Sequence, residues 1–506
     1  MANAEQEAAH GSSHGTSPPR GLDPTGVDGS PGGRFGRMFP VEIVRPLNPN
    51  AYVRVMNRFA FRSPAVILPG LIDHTPAGFT YLAQFIDHDI TYDPSPLGVQ
   101  IDDPNALVNF RTPRLDLDSI YGSGPADQPF LYEWENIDDR AVKLLVERRD
   151  RTTGQRVEAA PAAEAFSDLP RNSQGRALIG DPRNDEHLII SQFHLLFLEF
   201  HNAVVEHVRS TQGLRSGAEL FNEAARIMRW HYQWIITHDF LWRIVGKTLA
   251  AEVTAPAYER RVYMWEHEPF IPVEFSGAAY RFGHSMVRAG YLMNQDTSEE
   301  VPIFARTPGD PNSLRGFQPL PPRLVVDWRF FFHMGRLPDA LMKLPIPQLS
   351  ATIDTVIAQR LFHMPPEVST SLGTELPVLN LLRARQLNLP GGPDVARAMG
   401  ERPLSAEQLD LAPDFFGSGA MRAELADNAP LWYYILSEAS ALHQGMHLGP
   451  VGGRIVAEVL VGLLDGDPSS YRHASPGWVP ELEGETEGDF TMADLIRFTH
   501  PEYGLA

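Results

Sequence analysis

Apolar residues recur at helical spacing along much of this chain. From Glu186 to Val208, Leu188, Phe193, Leu195, Leu196 and Leu198 form one wide face, which predicts a long helix. A second long helix is expected from about Ala218 to Ile244, rich in Trp, Ile and Phe. Over Thr80–Ile90, Leu82, Phe85, Ile86 and Ile90 surround a polar set, so that helix should be buried on more than one side. Another helix is predicted near Ser276–Tyr291, and several more between Arg336 and Leu389. Two-residue alternation is scarce. It occurs at Thr112, Arg114, Asp116 and Asp118, which an extended strand would point to one side. The irregular, charged segment Pro125–Ser173 is expected to hold one short β-hairpin and loops.

The pattern predicts a mainly α fold, a large single helical domain with long loops and little sheet. Residues 1–34, rich in Gly, Ser and Pro, read as a disordered tail, 35–465 as the domain, and 466–506 as an acidic C-terminal segment packing on or trailing it, with Gly484–Gly488 in a surface loop.

Charge and composition narrow the function. Over 506 residues, 43 Lys and Arg against 63 Asp and Glu give a formal net charge of −20, which argues against nucleic-acid or anionic-membrane partners. The absence of cysteine excludes disulfides and thiolate metal sites. There is no 18-residue apolar run, so no transmembrane helix is expected. The N-terminus MANAEQEAAHGSSHG lacks a basic stretch followed by an apolar core, so a cytoplasmic location is the default expectation.

Four stretches carry candidate chemistry. In QFIDHDIT, Gln84, Asp87 and His88 share a helix face, and Asp89 lies about 100° further round. Two carboxylates and an imidazole on a buried helix are costly unless each has a partner. In GDPRNDEHLII, Asp181 and Pro182 mark a helix start, and Arg183 and Glu186 stand at i and i+3; alone, this is an ordinary capped helix with a surface ion pair. In AYRFGHSM, His284 sits in an apolar helix, where a lone histidine is most often a satisfied core residue. In LNLLRARQLNLPGG, Asn380 could cap a helix or hold a distant side chain.

In their order and large spacings, these pieces resemble the animal-type haem peroxidases of the peroxidase–cyclooxygenase superfamily, the compact bacterial branch above all, over roughly Phe35–Val461. The resemblance implies haem b with His284 as proximal iron ligand and Asn380 accepting its other ring N–H. It implies His88 as distal acid/base, Arg183 as the cation at the breaking O–O bond, and Gln84 as the residue orienting peroxide, water or halide. Hydrogen peroxide would give a ferryl haem, which then oxidises a small reductant such as a phenol, a halide or thiocyanate. Asp89, Thr112, Asp116 and Asp118, with the Arg114 carbonyl, resemble the family's calcium site, and carboxylate and hydroxyl oxygens are hard donors that suit Ca²⁺. Asp87 and Glu186 match acids that form ester bonds to haem in some members.

Two departures stand out. His187 occupies the place of a haem-bonding methionine found in some mammalian relatives, which counts against chloride oxidation. Arg281, beside the haem site, lies three residues before His284, where cyclooxygenase-like members carry a radical tyrosine; fatty-acid dioxygenation stays open through neighbouring Tyr280. An inactive adhesion relative would have lost His88, Arg183 or His284. A di-iron protein needs paired Glu-x-x-His, and that spacing occurs only at Glu7–His10.

Overall fold

The computed structural model describes residues 35–504 apart from 46, 62–73, 93–108, 159–160, 162, 267, 306–309, 311, 336, 343, 345, 366–367, 369–372 and 412–418. The tail expected over 1–34 lies outside the described residues. Helix dominates, and the described sheet is three two-stranded pairs. Phe35–Gly36 runs parallel to Ile271–Pro272, Gly290–Tyr291 antiparallel to Val301–Pro302, and Glu147–Asp150 antiparallel to Ala165–Asp168. The last pair is the hairpin expected within Pro125–Ser173.

The helix Gly78–Ile90 runs through the core. Gln84 and Asp87, at i and i+3, are its only half-buried residues; the other eleven are buried. Its apolar side packs on the long helix Leu188–Gln212, where the Phe85 ring stacks on Phe197 with centroids 4.5 Å apart. At the start of the Gly78–Ile90 helix the Phe332 ring lies where a Cβ on Gly78 would stand, 2.3 Å from the nearest ring atom, so only glycine allows this approach.

The Leu188–Gln212 helix is apolar enough to cross a membrane by length and composition, but its apolar window is 83% buried, as befits a core helix. It stops at Gly213, whose φ of 74° is the left-handed cap that favours glycine. The next helix, Gly217–Ile235, continues through a π turn at Ile236–Phe240 into Leu241–Val245. The single helix expected over 218–244 is thus present with an inserted bulge, where Thr237 Oγ1 donates back to the carbonyls of Gln233 and Trp234.

Three expectations fail. Thr112–Asp118 is a series of bends, and Leu117, at φ 61°, turns the chain so that Asp118 opens a short helix. Ser276–Tyr291 is broken into the short helix Val273–Gly277, the 3-10 turn Ala279–Phe282, the single turn Gly283–Met286 and the strand Gly290–Tyr291. Phe275, Ala278, Ala279, Tyr280, Phe282 and Met286 are all buried, while Arg281, His284 and Arg288 at i, i+3 and i+7 are half-buried, so the segment carries a helical period and tertiary packing sets the breaks within it. Between Arg336 and Leu389 the described residues form one α-helix, Leu376–Gln386, and one 3-10 turn, Gln359–Phe362; Pro338, Pro347 and Pro365 punctuate the rest.

The C-terminal segment folds back on the domain. Gly484–Gly488 is a largely exposed turn. The helix Met492–Thr499 begins with a capping box between Thr491 and Asp494, and Phe498 meets Phe200 of the Leu188–Gln212 helix at 5.8 Å.

Candidate active site

His88 lies near the end of the Gly78–Ile90 helix, buried, with Nδ1 2.7 Å from Asn184 Oδ1. Asn184 Nδ2 lies 3.0 Å from His194 Nδ1. The carboxamide has two ends, so the three groups are mutually constrained: Asn184 donates to His194 and accepts the Nδ1 proton of His88. His88 Nε2 is therefore the bare nitrogen. Burial first, then the neighbouring Arg183 cation, pulls the His88 pKa down to about 4, so the ring is neutral near pH 7.

The turn Pro182–Asp185 brings Arg183 beside this helix. Asp181 caps the turn by accepting from Arg183 N–H and takes two further bonds from the guanidinium, Nε at 3.1 Å and Nη2 at 2.7 Å. Nη2 also donates to the carbonyls of Thr91 (2.7 Å) and His88 (3.1 Å), and the guanidinium lies over the Tyr92 ring. Arg111 grips Asp181 from the other side at 2.6 Å. Burial pushes the Asp181 carboxyl up, but Arg183 and Arg111 outweigh it and hold the group well below the ordinary carboxylate range. The surface pair Arg183–Glu186 does not form; the partner is the fully buried Asp181.

The two carboxyls at the site are in opposite electrostatic states. Burial lifts Glu186 to about 7 against the opposing pull of Arg183. Burial also lifts Asp87, but Arg281, His88 and Arg183 outweigh it, so its pKa lies below the usual value. Arg281 Nη1 is 3.6 Å from Asp87 Oδ2, and Thr91 Oγ1 donates to Asp87 Oδ1 at 3.0 Å.

His284 stands in the short turn Gly283–Met286, and its Nδ1 is 2.7 Å from Asn380 on the Leu376–Gln386 helix. The two motifs meet as expected, with one correction. The amide nitrogen, not the oxygen, faces Nδ1, so Asn380 donates and the His284 proton sits on Nε2. Iron ligation through Nε2 needs the carboxamide turned by 180°. Burial lowers His284 to about 3, with Arg281, Asp87 and His88 all close enough to act on its charge. Tyr280 is buried, stacked on Phe275 at 4.6 Å, with no hydrogen bond to its hydroxyl among the described residues.

A cleft beside these groups is lined by Phe35, Tyr92, Val273 and Leu387 and by three arginines, Arg183, Arg281 and Arg383. Apolar walls and a cationic edge suit a flat, hydrophobic macrocycle bearing carboxylates, so these residues fit haem.

Carboxylate oxygens of Asp89, Asp116 and Asp118 come within 4.8 Å of one another despite the absence of a strand. The bend at Leu117 achieves this, with Leu117 N–H donating to Asp89 Oδ2 at 3.2 Å. Thr112 donates its hydroxyl to Asp116 at 2.9 Å. Burial, then Asp116, raises Asp89 to about 7; burial also raises Asp116 and Asp118. Asp118 Oδ1 has no hydrogen-bond partner, although Arg111 Nη1 is 3.6 Å away. Three crowded carboxylates, two buried and one half-buried, with an orphaned oxygen fit a hard divalent cation. Arg114 is close enough to act on Asp116.

Asn184, His194 and Arg383 are missing from the sequence-derived set. Asn184 stands inside the GDPRNDEH run, and its distance of 96 residues from His88 hides the contact. Arg383 follows Asn380 by three residues, on the same side of a helix, which is the signal that could have found it.

A family model described as animal haem peroxidase matches residues 95–468. Thyroid peroxidase of Sus scrofa is 26% identical over 407 residues, 78% of this chain and 41% of that protein. Human myeloperoxidase is 28% identical over 297 residues, 57% and 36% respectively. The chain thus spans about two fifths of the length of these curated relatives. Among solved structures, peroxidase A from Dictyostelium discoideum aligns with a TM-score of 0.64 at 16% identity, covering 95% of this chain and 96% of that one. A fatty acid alpha-dioxygenase from Arabidopsis thaliana gives 0.56 at 16%, covering 94% and 77%. At such identities these two show a common fold. The matched residues include Thr112–Asp118, Arg183, His284 and Asn380; Gln84, Asp87, His88 and Asp89 precede them and rest on geometry. With a match over most of its length, this chain belongs to the animal haem peroxidase family.

Proposed function

We propose that the protein is a calcium-stabilised haem peroxidase that reduces hydrogen peroxide and oxidises small donors such as phenols, halides or thiocyanate. The observation carrying this is the pairing of two imidazoles, His88 and His284, each held at Nδ1 by an asparagine, Asn184 and Asn380, with Arg183 beside His88. Bound haem would supply the iron at which peroxide is cleaved and would hold the oxidising equivalents. His284 Nε2 would ligate the iron, with the Asn380 carboxamide turned to accept the Nδ1 proton and so enrich the ligand. His88, neutral near pH 7, takes a proton from peroxide at Nε2 and returns it to the departing oxygen. Arg183, held by buried Asp181, supplies a fixed positive charge that needs no reorganisation as negative charge develops. Gln84 orients the small ligand. Asp89, Asp116, Asp118, Thr112 and the Arg114 carbonyl would hold Ca²⁺, tying the residue next to His88 to the 112–118 loop.

The test is haem reconstitution followed by stopped-flow reaction with hydrogen peroxide. Wild type should show a Soret band and react rapidly. His284→Ala should lose the haem spectrum. His88→Ala should keep it and react about 10²–10⁴ times more slowly. A His88→Ala protein as fast as wild type refutes the assignment.

A further inference from the structure

The turn Pro182–Asp185 carries Arg183 and Asn184, and its last residue is gripped from outside. Arg171 Nη1 donates to Asp185 Oδ2 at 2.7 Å and Nη2 to Oδ1 at 2.8 Å, a two-bond fork between two buried groups. Arg171 is itself held on three sides. Its backbone N–H donates to Glu147 Oε2 at 3.3 Å, its Nη1 also donates to Gly175 O at 3.0 Å, and Asp168 Oδ2 lies 3.5 Å from its Nε. Asp168 is fixed in turn by Arg149 Nε at 2.7 Å and by Leu320 N–H at 3.0 Å. Buried charges of alternating sign, Arg149, Asp168, Arg171 and Asp185, thus run from the hairpin to the turn.

Such a chain is a poor source of stability, because burying ions costs about as much as their attraction returns. What the fork gives is direction: two parallel bonds fix the carboxylate in plane and position. Burial works against ionising Asp185, and Arg171 is the first group to offset it. The backbone adds to the grip. Phe317 N–H donates to Asp185 O at 2.7 Å, and a Cβ on Gly316 would stand 1.7 Å from the same oxygen. At the other end of the turn the Asp181 carboxylate holds the Arg183 guanidinium, so Arg183 has its own anchor. Asn184 does not. Among the described residues its carboxamide bonds only the rings of His88 and His194, so its aim is set by the backbone next to Asp185.

We propose that Arg171 is a positioning residue for His88: its fork on Asp185 holds the turn so that the Asn184 oxygen meets His88 Nδ1 and leaves Nε2 bare. Its bearing on the reaction rests on reading His88 as the group that takes the peroxide proton. With the fork lost, the 2.7 Å bond between His88 Nδ1 and Asn184 loosens, and the ring proton is free to move to Nε2.

Arg171→Lys keeps the charge and loses the fork, and Asp185→Asn keeps the shape and loses the charge. Both are studied as the haem-reconstituted full chain. Cyanide uptake by the ferric protein needs His88 to accept the proton of hydrogen cyanide, whereas carbon monoxide binds the ferrous protein without a proton. R171K and D185N should each slow cyanide about tenfold, a partial loss of acid–base help, with the Soret band and the carbon monoxide rate unchanged. R171K on an Asn184→Ala background should slow cyanide no further, because the effect runs through Asn184. A second arm needs no haem. In apo protein labelled with ¹⁵N-histidine, the His88 signals, identified by their loss in His88→Gln, should report Nδ1–H in wild type and a mixture with Nε2–H in R171K. Cyanide uptake at the wild-type rate in both variants overturns the proposal, and so does a His88 ring that keeps Nδ1–H in R171K. Equal slowing of cyanide and carbon monoxide, or unfolding of both variants, makes the fork a support of the whole fold and overturns it too. If wild type takes up no haem while the tautomer shifts in R171K, the peroxidase function fails and the hold of Arg171 on His88 stands.

Discussion

Replacing Asn184 with alanine removes the side chain that joins His88 to His194. Asn184 is fully buried and makes bonds of 2.7 and 3.0 Å to the two rings. Its loss leaves the His88 Nδ1–H without an acceptor and His194 Nδ1 without a donor, while His194 Nε2 already lacks a partner. Each of the two newly orphaned buried groups costs about 1–3 kcal/mol, so about 2–6 kcal/mol of stability should go. The rate effect is separate. With no acceptor at Nδ1, the His88 proton is free to occupy Nε2, the nitrogen needed to accept from peroxide. Complete loss of acid–base help would cost about 10²–10⁴; a tautomer shift that leaves some competent rings should cost ~10-fold. The assay pairs urea unfolding at pH 7 with stopped-flow peroxide reaction of the haem-loaded protein. Asn184→Ala on a His88→Ala background should slow the reaction no further, because the effect runs through His88. If Asn184→Ala costs less than about 1 kcal/mol and reacts at the wild-type rate, the chain His88–Asn184–His194 does not hold the proton.

Chelation should lower the melting temperature and perturb the haem spectrum together, because the three crowded carboxylates of Asp89, Asp116 and Asp118 repel without a cation; unchanged melting with no ion by elemental analysis would refute this. If peroxide cycling attaches the haem, mass spectrometry should find it on the Glu186 peptide in preference to the Asp87 peptide, since Glu186 is raised to about 7 by burial while the cations around Asp87 stabilise its ionised form; attachment through Asp87 alone would contradict that electrostatic ordering. Buried His231 donates from Nδ1 to Ile227 O at 2.7 Å and accepts from Leu482 N–H at 3.1 Å, and burial lowers it to about 4. The unfolded chain takes up that proton near pH 6.5 and the folded one only near 4, so stability should fall as pH drops between them, by up to ~3 kcal/mol. His231→Gln should reduce the dependence in urea titrations at pH 7 and 4.5, the other buried histidines keeping theirs, and an unchanged slope would refute the assignment.

The parts of the site that lie on one continuous helix were legible in the sequence. Gln84 and Asp87 are the two half-buried positions of their helix, as the i, i+3 spacing requires. The pairing of His284 with Asn380 came from motif resemblance, since no local spacing encodes a contact across 96 residues. What stayed hidden follows from packing. The 112–118 run looks like a strand because alternate residues are polar, yet a left-handed residue at Leu117 folds it into a loop that still gathers its acids. The segment around His284 keeps Arg281, His284 and Arg288 at helical spacing through its breaks, so the breaks left no mark in the periodicity. Asn184 resembled a filler between Arg183 and Glu186, because its meaning depends on two histidines carried by different helices.

The way the Met492–Thr499 helix closes the molecule bears on how the chain is made. Its Met492 N–H donates to Asp239 Oδ2, 253 residues earlier, and Phe490 and Phe498 cover Phe200. During synthesis, that side of the Leu188–Gln212 helix stays uncovered until almost the whole described chain has left the ribosome. For that interval a nascent chain presents a long apolar surface, the condition under which chains aggregate or engage chaperones. Slow translation of the last several hundred codons would lengthen the exposure, and recombinant yield should respond to chaperone supply more than to haem supply.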